Sequence, residues 1–597
     1  MLDWILVIIL IILSYKLLLN KNKIIKINYK RPIQANDDWN GKLLENPSIF
    51  AHNFDKSLLN GKNVSNDYIT CYDPSTGQFI DAIKAANEQD IKSQIQLAKA
   101  AQVEWKSSNW SRRLKVLNSL LDWVVSDIDN LVDVACRDTG KTKVDAAFGE
   151  ILTTAEKLRW MINNAKSILS PQRRHTNLLL AHKSSKVVYE PLGVTVASVS
   201  WNYPAHNSLS PIIASLISGN ACIVKGSELV AWSTKWFIGA AQECLRYVKP
   251  HSFIHVVLLS YKLVICYPEV VETLTTSNDI DHITFIGSEL VGKKVASAAS
   301  KNLKPCCIEL GGKDPAIILE SADLNFFEST FMRSAFQAAG QNCIGIERFI
   351  IHEKIYTDFI ERMDKRVKEL RLGPSLKEGS CSDVGAMISD TRFAKLEELI
   401  QNAIKQGARL LVGGKRYQHP LYPKGHYFEP TLLVNVTKDM EIFHEELFAP
   451  VMTVIKAQST NHAIDLANGT RFGLGAAVFG DNKAECRLVS ENLKCGMVSL
   501  NDFGVFYLNQ SMPFGGVKSS GYGRFGGPEG LQGLCNPKVI IEDRFFSLIR
   551  TPIPKPLDYP IKSAVSSWSF VKGLVEVVYA TEIKAKILGL KDLLKGL

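Results

Sequence analysis

Two short stretches hold residue types from which covalent catalysis can be built. In Gly340-Gln341-Asn342-Cys343-Ile344-Gly345 a cysteine sits beside an amide residue, with a glycine close on either side and little bulk around the thiol. In Cys306-Cys307-Ile308-Glu309-Leu310-Gly311-Gly312-Lys313-Asp314-Pro315 a carboxylate stands just before a Gly-Gly turn. A thiol is a nucleophile and a carboxylate a base, so Cys343 and Glu309 could together carry acyl chemistry. Neither is decisive alone, because most cysteines are small buried hydrophobes and this chain has 12 of them. The elements that position the pair have to discriminate.

Ahead of it the chain repeats strand, turn and helix. Val194-Thr195-Val196-Ala197-Ser198-Val199 reads as a buried strand ending in Trp201-Asn202-Tyr203-Pro204. Asn220-Ala221-Cys222-Ile223-Val224-Lys225 ends in Gly226-Ser227-Glu228, and His282-Ile283-Thr284-Phe285 ends in Gly287-Ser288. This is the parallel α/β pattern, in which ligands bind at the carboxyl ends of strands. Lys225 and Glu228 lie at one such end, where an ammonium can hold ribose or phosphate and a carboxylate can take ribose hydroxyls. Two motif matches are set aside for want of a leading strand: Thr139-Gly140-Lys141-Thr142, which lacks the upstream glycine of a phosphate loop, and Gly521-Tyr522-Gly523-Arg524-Phe525-Gly526.

With 597 residues the chain is too long for one ordinary core, and two or three domains are expected. Hydrophobic residues at 46% and charged residues at 22% exclude extensive disorder. The formal charge of +10 is scattered and falls in no nucleic-acid module, so no nucleic-acid partner is expected. The cysteines show no C-x-x-C pair and read as reduced thiols. His251 and His255 share a suggestive spacing but lie on a strand-like run without a third ligand, so no metal is expected.

Further on come Phe428-Glu429-Pro430-Thr431, Glu445-Glu446-Leu447-Phe448-Ala449-Pro450, Gly496-Met497-Val498-Ser499-Leu500-Asn501 and Pro513-Phe514-Gly515-Gly516-Val517-Lys518-Ser519-Ser520-Gly521. With these in view the sequence resembles the NAD(P)-dependent aldehyde dehydrogenase superfamily over about residues 70–545. The resemblance implies an α/β fold with a Rossmann-like cofactor domain, an α/β catalytic domain, a small oligomerisation sheet and assembly into a homodimer or homotetramer. It implies NAD or NADP as cofactor and an aldehyde as substrate. Cys343 then corresponds to the nucleophile, Glu309 to the base and Asn202 to the oxyanion donor. Trp201, Lys225, Glu228, Gly287, Ser288, Glu446 and Phe448 correspond to the cofactor site: Lys225 and Glu228 at the adenosine ribose, Gly287 and Ser288 under the pyrophosphate, Glu446 at the nicotinamide ribose and Phe448 beside the nicotinamide. Two positions depart from the family pattern. Leu259 to Pro268 replaces a glycine-bearing loop, and Phe525 stands where some members carry an extra glutamate. Two other readings are an acylating relative that hands the thioester to coenzyme A, against which Glu309 argues, and a catalytically silent scaffold.

The first residues carry a separate expectation. Leu2 to Leu19 is apolar except at Asp3, Ser14, Tyr15 and Lys16, about 27 Å of helix and close to a thin bilayer core. Lys21, Lys23, Lys26, Lys30 and Arg31 follow it. By the positive-inside rule the sequence predicts a membrane-anchored member, with an N-terminal transmembrane helix in the endoplasmic reticulum and the catalytic body facing the cytosol. The bilayer would then be a partner, and a long-chain aldehyde that partitions into it the expected substrate. The expected organisation is an anchor at 1–20, a basic juxtamembrane segment and stalk at 21–68, the cofactor-binding domain at 69–310 with an oligomerisation strand near 186–190, the catalytic domain at 311–518, an oligomerisation strand and return segment at 519–550, and a Pro-rich linker with an amphipathic helix at 551–597.

Overall fold

A computed structural model of the protein describes residues 24–48, 68–246, 261–377, 381–548 and 552–597. It divides into two compact units, one made of the chain up to Ile168 with Pro191–Asn536, the other of Leu169–Glu190 with Pro537–Leu597.

The larger unit is built on two sheets. Strands β1 (Val194–Ser198), β2 (Ala221–Gly226), β3 (Tyr261–Ile265), β4 (His282–Gly287) and β5 (Cys306–Leu310) are rich in Val, Ile and Thr, and the inner ones are nearly continuous apolar runs covered on both faces. They pair in parallel in the order β5-β4-β1-β2-β3. The order reverses between β1 and β4, so the chain leaves both at the same edge and opens a crevice there. Helix α1 (Thr153–Leu169) precedes this sheet. Helix α2 (Pro204–Ser218) follows β1, with Pro204 in its first turn and Gly219 at φ +91° closing it.

The second sheet takes β6 (Asp314–Ile318), β7 (Ile346–His352), β8 (Arg409–Val412), β9 (Thr431–Val434), β10 (Val451–Ala457), β11 (Gly475–Phe479) and β12 (Met497–Leu500) in the order β8-β9-β10-β7-β6-β11-β12. Its core gathers Ile317, Phe331, Phe349, Phe359, Met452 and Val478, all fully buried. A last short strand, β13 (Gly521–Tyr522), returns to pair antiparallel with β5, setting Gly521 opposite Glu309. The segment read as an altered loop at 259–268 is a strand from Tyr261 onward, in register with β2. Tyr261, Val264 and Ile265 are strand-forming residue types, which favour that over a loop. His251 and His255 lie outside the described residues.

The smaller unit holds strand Gln172–Arg174 beside Lys183–Pro191, and Cys535–Asp543 on the other side of the latter, with Lys538 and Lys186 paired to Glu190 and Glu542. It also holds two helices, Ala564–Tyr579 and Ile583–Gly596, that pack closely where Gly573 meets Gly589.

The membrane expectation is corrected. Among the described residues no helix is long and apolar enough to cross a membrane. The longest that could be considered, Glu88–Trp105 with 18 residues, carries Lys92, Lys99 and Glu104 on its outer face, and the strongly apolar α2 has only 15 residues. Residues 1–20, which suggested the anchor, lie outside the described residues. The transmembrane helix, the bilayer as partner, the single-pass topology and the endoplasmic-reticulum assignment are therefore withdrawn, and the long-chain substrate loses the ground it rested on.

One connection is conformationally extreme. Between helix Leu324–Phe336 and Cys343 the chain passes through Ala338 (φ +52°), Ala339 (φ +55°) and Gly340 (φ +71°). Each non-glycine residue there costs about 1–2 kcal/mol. A Cβ at Gly340 would also sit 2.0 Å from the Ala449 carbonyl oxygen, against fixed backbone. Gly340→Ala is expected to lower Tm by several degrees and to abolish turnover; thermal denaturation of parent and variant, read beside their activity, checks this.

Candidate active site

The crevice opens into a cavity of about 820 Å³. Cys343, Glu309, Asn202, Trp201, Glu446 and Phe448 all line it, as do Gly287 and Ser288. Lys225 and Glu228 do not line it. They form an ion pair of 2.9 Å at the carboxyl end of β2.

Cys343 is half-buried. Its thiol is pushed well above the usual range, first by burial and then by the Glu309 carboxylate beside it. Glu309, 3% exposed at the end of β5, is pushed up by burial to about 7, with the Cys343 thiol pulling the other way. Its Oε1 is buried without a hydrogen-bond partner. An unpaired buried carboxyl oxygen is costly, and here it faces a cavity that a water molecule or a substrate can enter. Near neutral pH the carboxyl is poised between its two forms, so it can accept a proton as readily as release one.

Asn202 follows β1 and is 5% exposed. Its Oδ1 accepts from Ser200 Oγ at 2.7 Å and from Asn207 Nδ2 at 3.3 Å. That network fixes the amide orientation, and Nδ2 donates to the Gln341 carbonyl at 3.1 Å, facing the Cys343 loop. The amide has a second N–H, which can serve an oxygen developing negative charge.

A layer behind Asn202 went unread in the sequence. Lys141, in the stretch set aside as a failed phosphate loop, is 3% exposed; its Nζ pairs with Glu150 at 2.7 Å, donates to the Asn202 main-chain carbonyl and lies 4.4 Å from the centre of the Tyr203 ring. Glu150 in turn accepts from the Ala205 N–H at 2.7 Å. A Gly-Lys-Thr triplet gives no local sign of this, because the Asn202 carbonyl lies 61 residues away. The strained loop is held likewise, with Asp145 accepting from the Ala338 N–H at 3.1 Å and from Arg333 at 2.7 Å.

Across the cavity, Glu347 accepts from the N–H groups of Leu447 and Phe448 at 2.9 Å each and pairs with fully buried Lys313 at 2.6 Å. This clamp holds Phe448 at φ +52° and sets its ring edge-on to Trp201, centroids 5.5 Å apart. The Glu446 carboxyl accepts from the Gly312 N–H at 3.1 Å and is pushed up to about 8, by burial first and by Glu347 second. A Cβ at Gly311 would overlap that carboxyl at 1.9 Å, so only glycine leaves room for it.

The chain from residue 62 to 540 matches the aldehyde dehydrogenase family. The protein belongs to that family. An aldehyde dehydrogenase-like protein of Schizosaccharomyces pombe is 49% identical over 86% of this chain and 97% of its own, and one of Saccharomyces cerevisiae is 42% identical over 96% of this chain and 88% of its own. Among solved structures, betaine aldehyde dehydrogenase of Staphylococcus aureus in complex with NAD+ is 27% identical, covers 80% of this chain and 92% of its own, and superposes with a TM-score of 0.74. An NADP-dependent enzyme of E. coli is 26% identical with a TM-score of 0.74, covering 80% of this chain and 95% of its own. The protein is thus an NAD(P)-dependent aldehyde dehydrogenase, an oxidoreductase acting on aldehydes with NAD or NADP.

The residues present fit such a cofactor. A carboxyl held near 8 at the cavity wall, the glycine backbone beside it and two aromatic rings at one edge suit a ribose and a flat heterocycle, and the Lys225–Glu228 pair lies at the neighbouring strand end.

Lys141→Met should remove the strut under Asn202. Breaking a buried ion pair on one side costs about 3–5 kcal/mol, so a lower Tm is expected, together with a fall in kcat that exceeds any rise in KM. Steady-state kinetics of Lys141→Met beside the paired variant Lys141→Met/Glu150→Gln checks this: the double variant should regain stability but not kcat.

Proposed function

We propose that the oxidation runs through covalent intermediates on Cys343 and ends in hydrolysis to the carboxylic acid. The observation that carries this reading is the Glu309 carboxyl, unpaired at Oε1 and beside the Cys343 thiol in one cavity. Glu309 takes the thiol proton as Sγ adds to the aldehyde carbon, giving a thiohemiacetal oxyanion. Asn202 Nδ2 stabilises that oxygen, a contribution of about 10²–10³ in rate for one well-placed donor. The bound nicotinamide supplies the acceptor for the hydride that leaves the carbon. Cys343 is then a thioester. Glu309, once it has released the thiol's proton to solvent, takes a proton from water as the water oxygen bonds to the acyl carbon; the C–S bond breaks, and Glu309 hands that proton to the departing sulfur to restore the thiol. Because Glu309 serves a water molecule, hydrolysis is favoured over transfer to coenzyme A.

The same reading assigns Lys225 and Glu228 to the adenosine ribose, Gly287 and Ser288 to the pyrophosphate, and Glu446 to the nicotinamide ribose, with Trp201 and Phe448 beside the nicotinamide. It takes 69–310 as the cofactor-binding domain, 311–518 as the catalytic domain, and the strands around 186–190 and 538–542 as an oligomerisation sheet in a homodimer or homotetramer.

Glu309→Gln tests the mechanism. Rapid mixing should give a stoichiometric burst of reduced cofactor followed by a slow steady state, because acyl transfer to water loses its base. A steady state equal to the parent's would remove Glu309 from the mechanism.

The pH profile gives a second test. Only deprotonated Glu309 is a base, and its carboxyl titrates near 7. Activity of the parent should therefore fall as pH drops through about 7, and the residual activity of Glu309→Gln should lack that acid limb.

A further inference from the structure

The cavity does not end at the reacting groups. It continues along α1, where Thr153, Lys157 and Met161 face it at four-residue intervals, about 6 Å apart on one side of the helix. Helix α2 adds His206, Asn207 and Ser210 to the lining. The floor is β5, where Cys307 and Glu309, two residues apart, face the same side.

Lys157 stands out there. It is 3% exposed and has no hydrogen-bond or ion-pair partner among the described residues. The other two lysines buried to this degree are both seated on carboxylates, Lys141 on Glu150 and Lys313 on Glu347. Burial lowers the Lys157 ammonium to about 8, and the one group that opposes this is the Cys307 thiol. That thiol is itself raised to about 12 and so carries no charge at neutral pH. His206, whose Nδ1 lies 3.0 Å from Thr154 Oγ1, is held down at about 3 and is neutral as well. Among the described residues no carboxylate forms an ion pair with the ammonium, although an unpaired buried charge costs several kcal/mol.

We infer that Lys157 receives an anionic group at the far end of the substrate, and that the preferred substrates are aldehydes carrying a carboxylate or phosphate a few carbons from the carbonyl. This rests on Cys343 being the reacting end of the cavity. Cys307, next to the ammonium, lies about 7 Å along the strand from Glu309. A chain of about five carbons spans a distance of that order, which sets the length chosen for the test. A charge paired only when substrate is bound makes Lys157 a specificity-determining residue, since a neutral aldehyde leaves the ammonium uncompensated.

The test compares kcat/KM for glutaric semialdehyde and for pentanal with NAD and NADP. The parent should favour the semialdehyde at least tenfold. Lys157→Gln and Lys157→Met should each lower that ratio at least tenfold, Lys157→Arg should retain most of it, and Lys157→Glu should reverse it in favour of an ω-amino aldehyde. A phosphorylated butanal run alongside distinguishes phosphate from carboxylate as the better anion. The same ratio in the parent and in Lys157→Gln overturns the proposal. Calorimetric titration of glutarate into Cys343→Ala with bound cofactor gives a readout free of turnover: binding lost in Cys343→Ala/Lys157→Gln supports Lys157 as the anion receptor, and equal binding in the two refutes it. If no aldehyde is oxidised through Cys343 the covalent mechanism fails, while this titration still decides the role of Lys157.

Discussion

A salt bridge shut away from water, Lys141 to Glu150, is the interaction on which the site most depends. A buried ammonium keeps its charge only with full compensation, so Lys141 spends its donors on Glu150 and the Asn202 carbonyl and lays its charge against the Tyr203 ring. Glu150 uses its other oxygen on Ala205, at the start of α2. The turn after β1 and the first turn of the helix behind it thus become one rigid piece, and Asn202 has nowhere else to point. Lys313 and Glu347 do the same for the Phe448 turn across the cavity. Satisfied polar networks of this kind rigidify a core, and a half-satisfied one would be worse than none.

The parallel strands, the crevice at their carboxyl ends and several of the residues lining it were legible in the sequence. Buried parallel strands are plain apolar runs, and the turns that follow them must supply the ligands. What stayed hidden depends on contacts distant along the chain. Nothing near Lys141 says that its partner is Glu150, and nothing near Lys157 says that it has none. Leu259 to Pro268 was misread because family expectation outweighed a run of strand-forming residues from Tyr261 to Ile265. The anchor inferred from the first twenty residues was an argument from length and hydropathy alone, and no described helix supports a membrane-spanning form.

Losing the anchor changes the view of the substrate. An apolar tail was expected only because a bilayer was expected to deliver it. The cavity sets an imidazole, an amide, hydroxyls and an ammonium on α1 and α2, and apolar side chains such as Met161, Phe506, Met512 and Phe514 line it as well.

The strand that carries Glu309 has its outer side closed by Gly521–Tyr522, over two hundred residues further along. On the ribosome, β1 to β5 emerge well before that closing segment is made. Until it arrives, β5 presents an open row of amide and carbonyl groups, a template for wrong pairing with another chain. Long-range closures of this kind are slow and leave nascent chains exposed to aggregation. Apart from Glu309 itself, the nearest charged residues, Lys304 before the strand and Lys313 after it, flank the run. Biosynthesis therefore leaves the strand bearing the base uncovered while some two hundred further residues are made, and a translating ribosome would be a natural place for a chaperone to bind this chain.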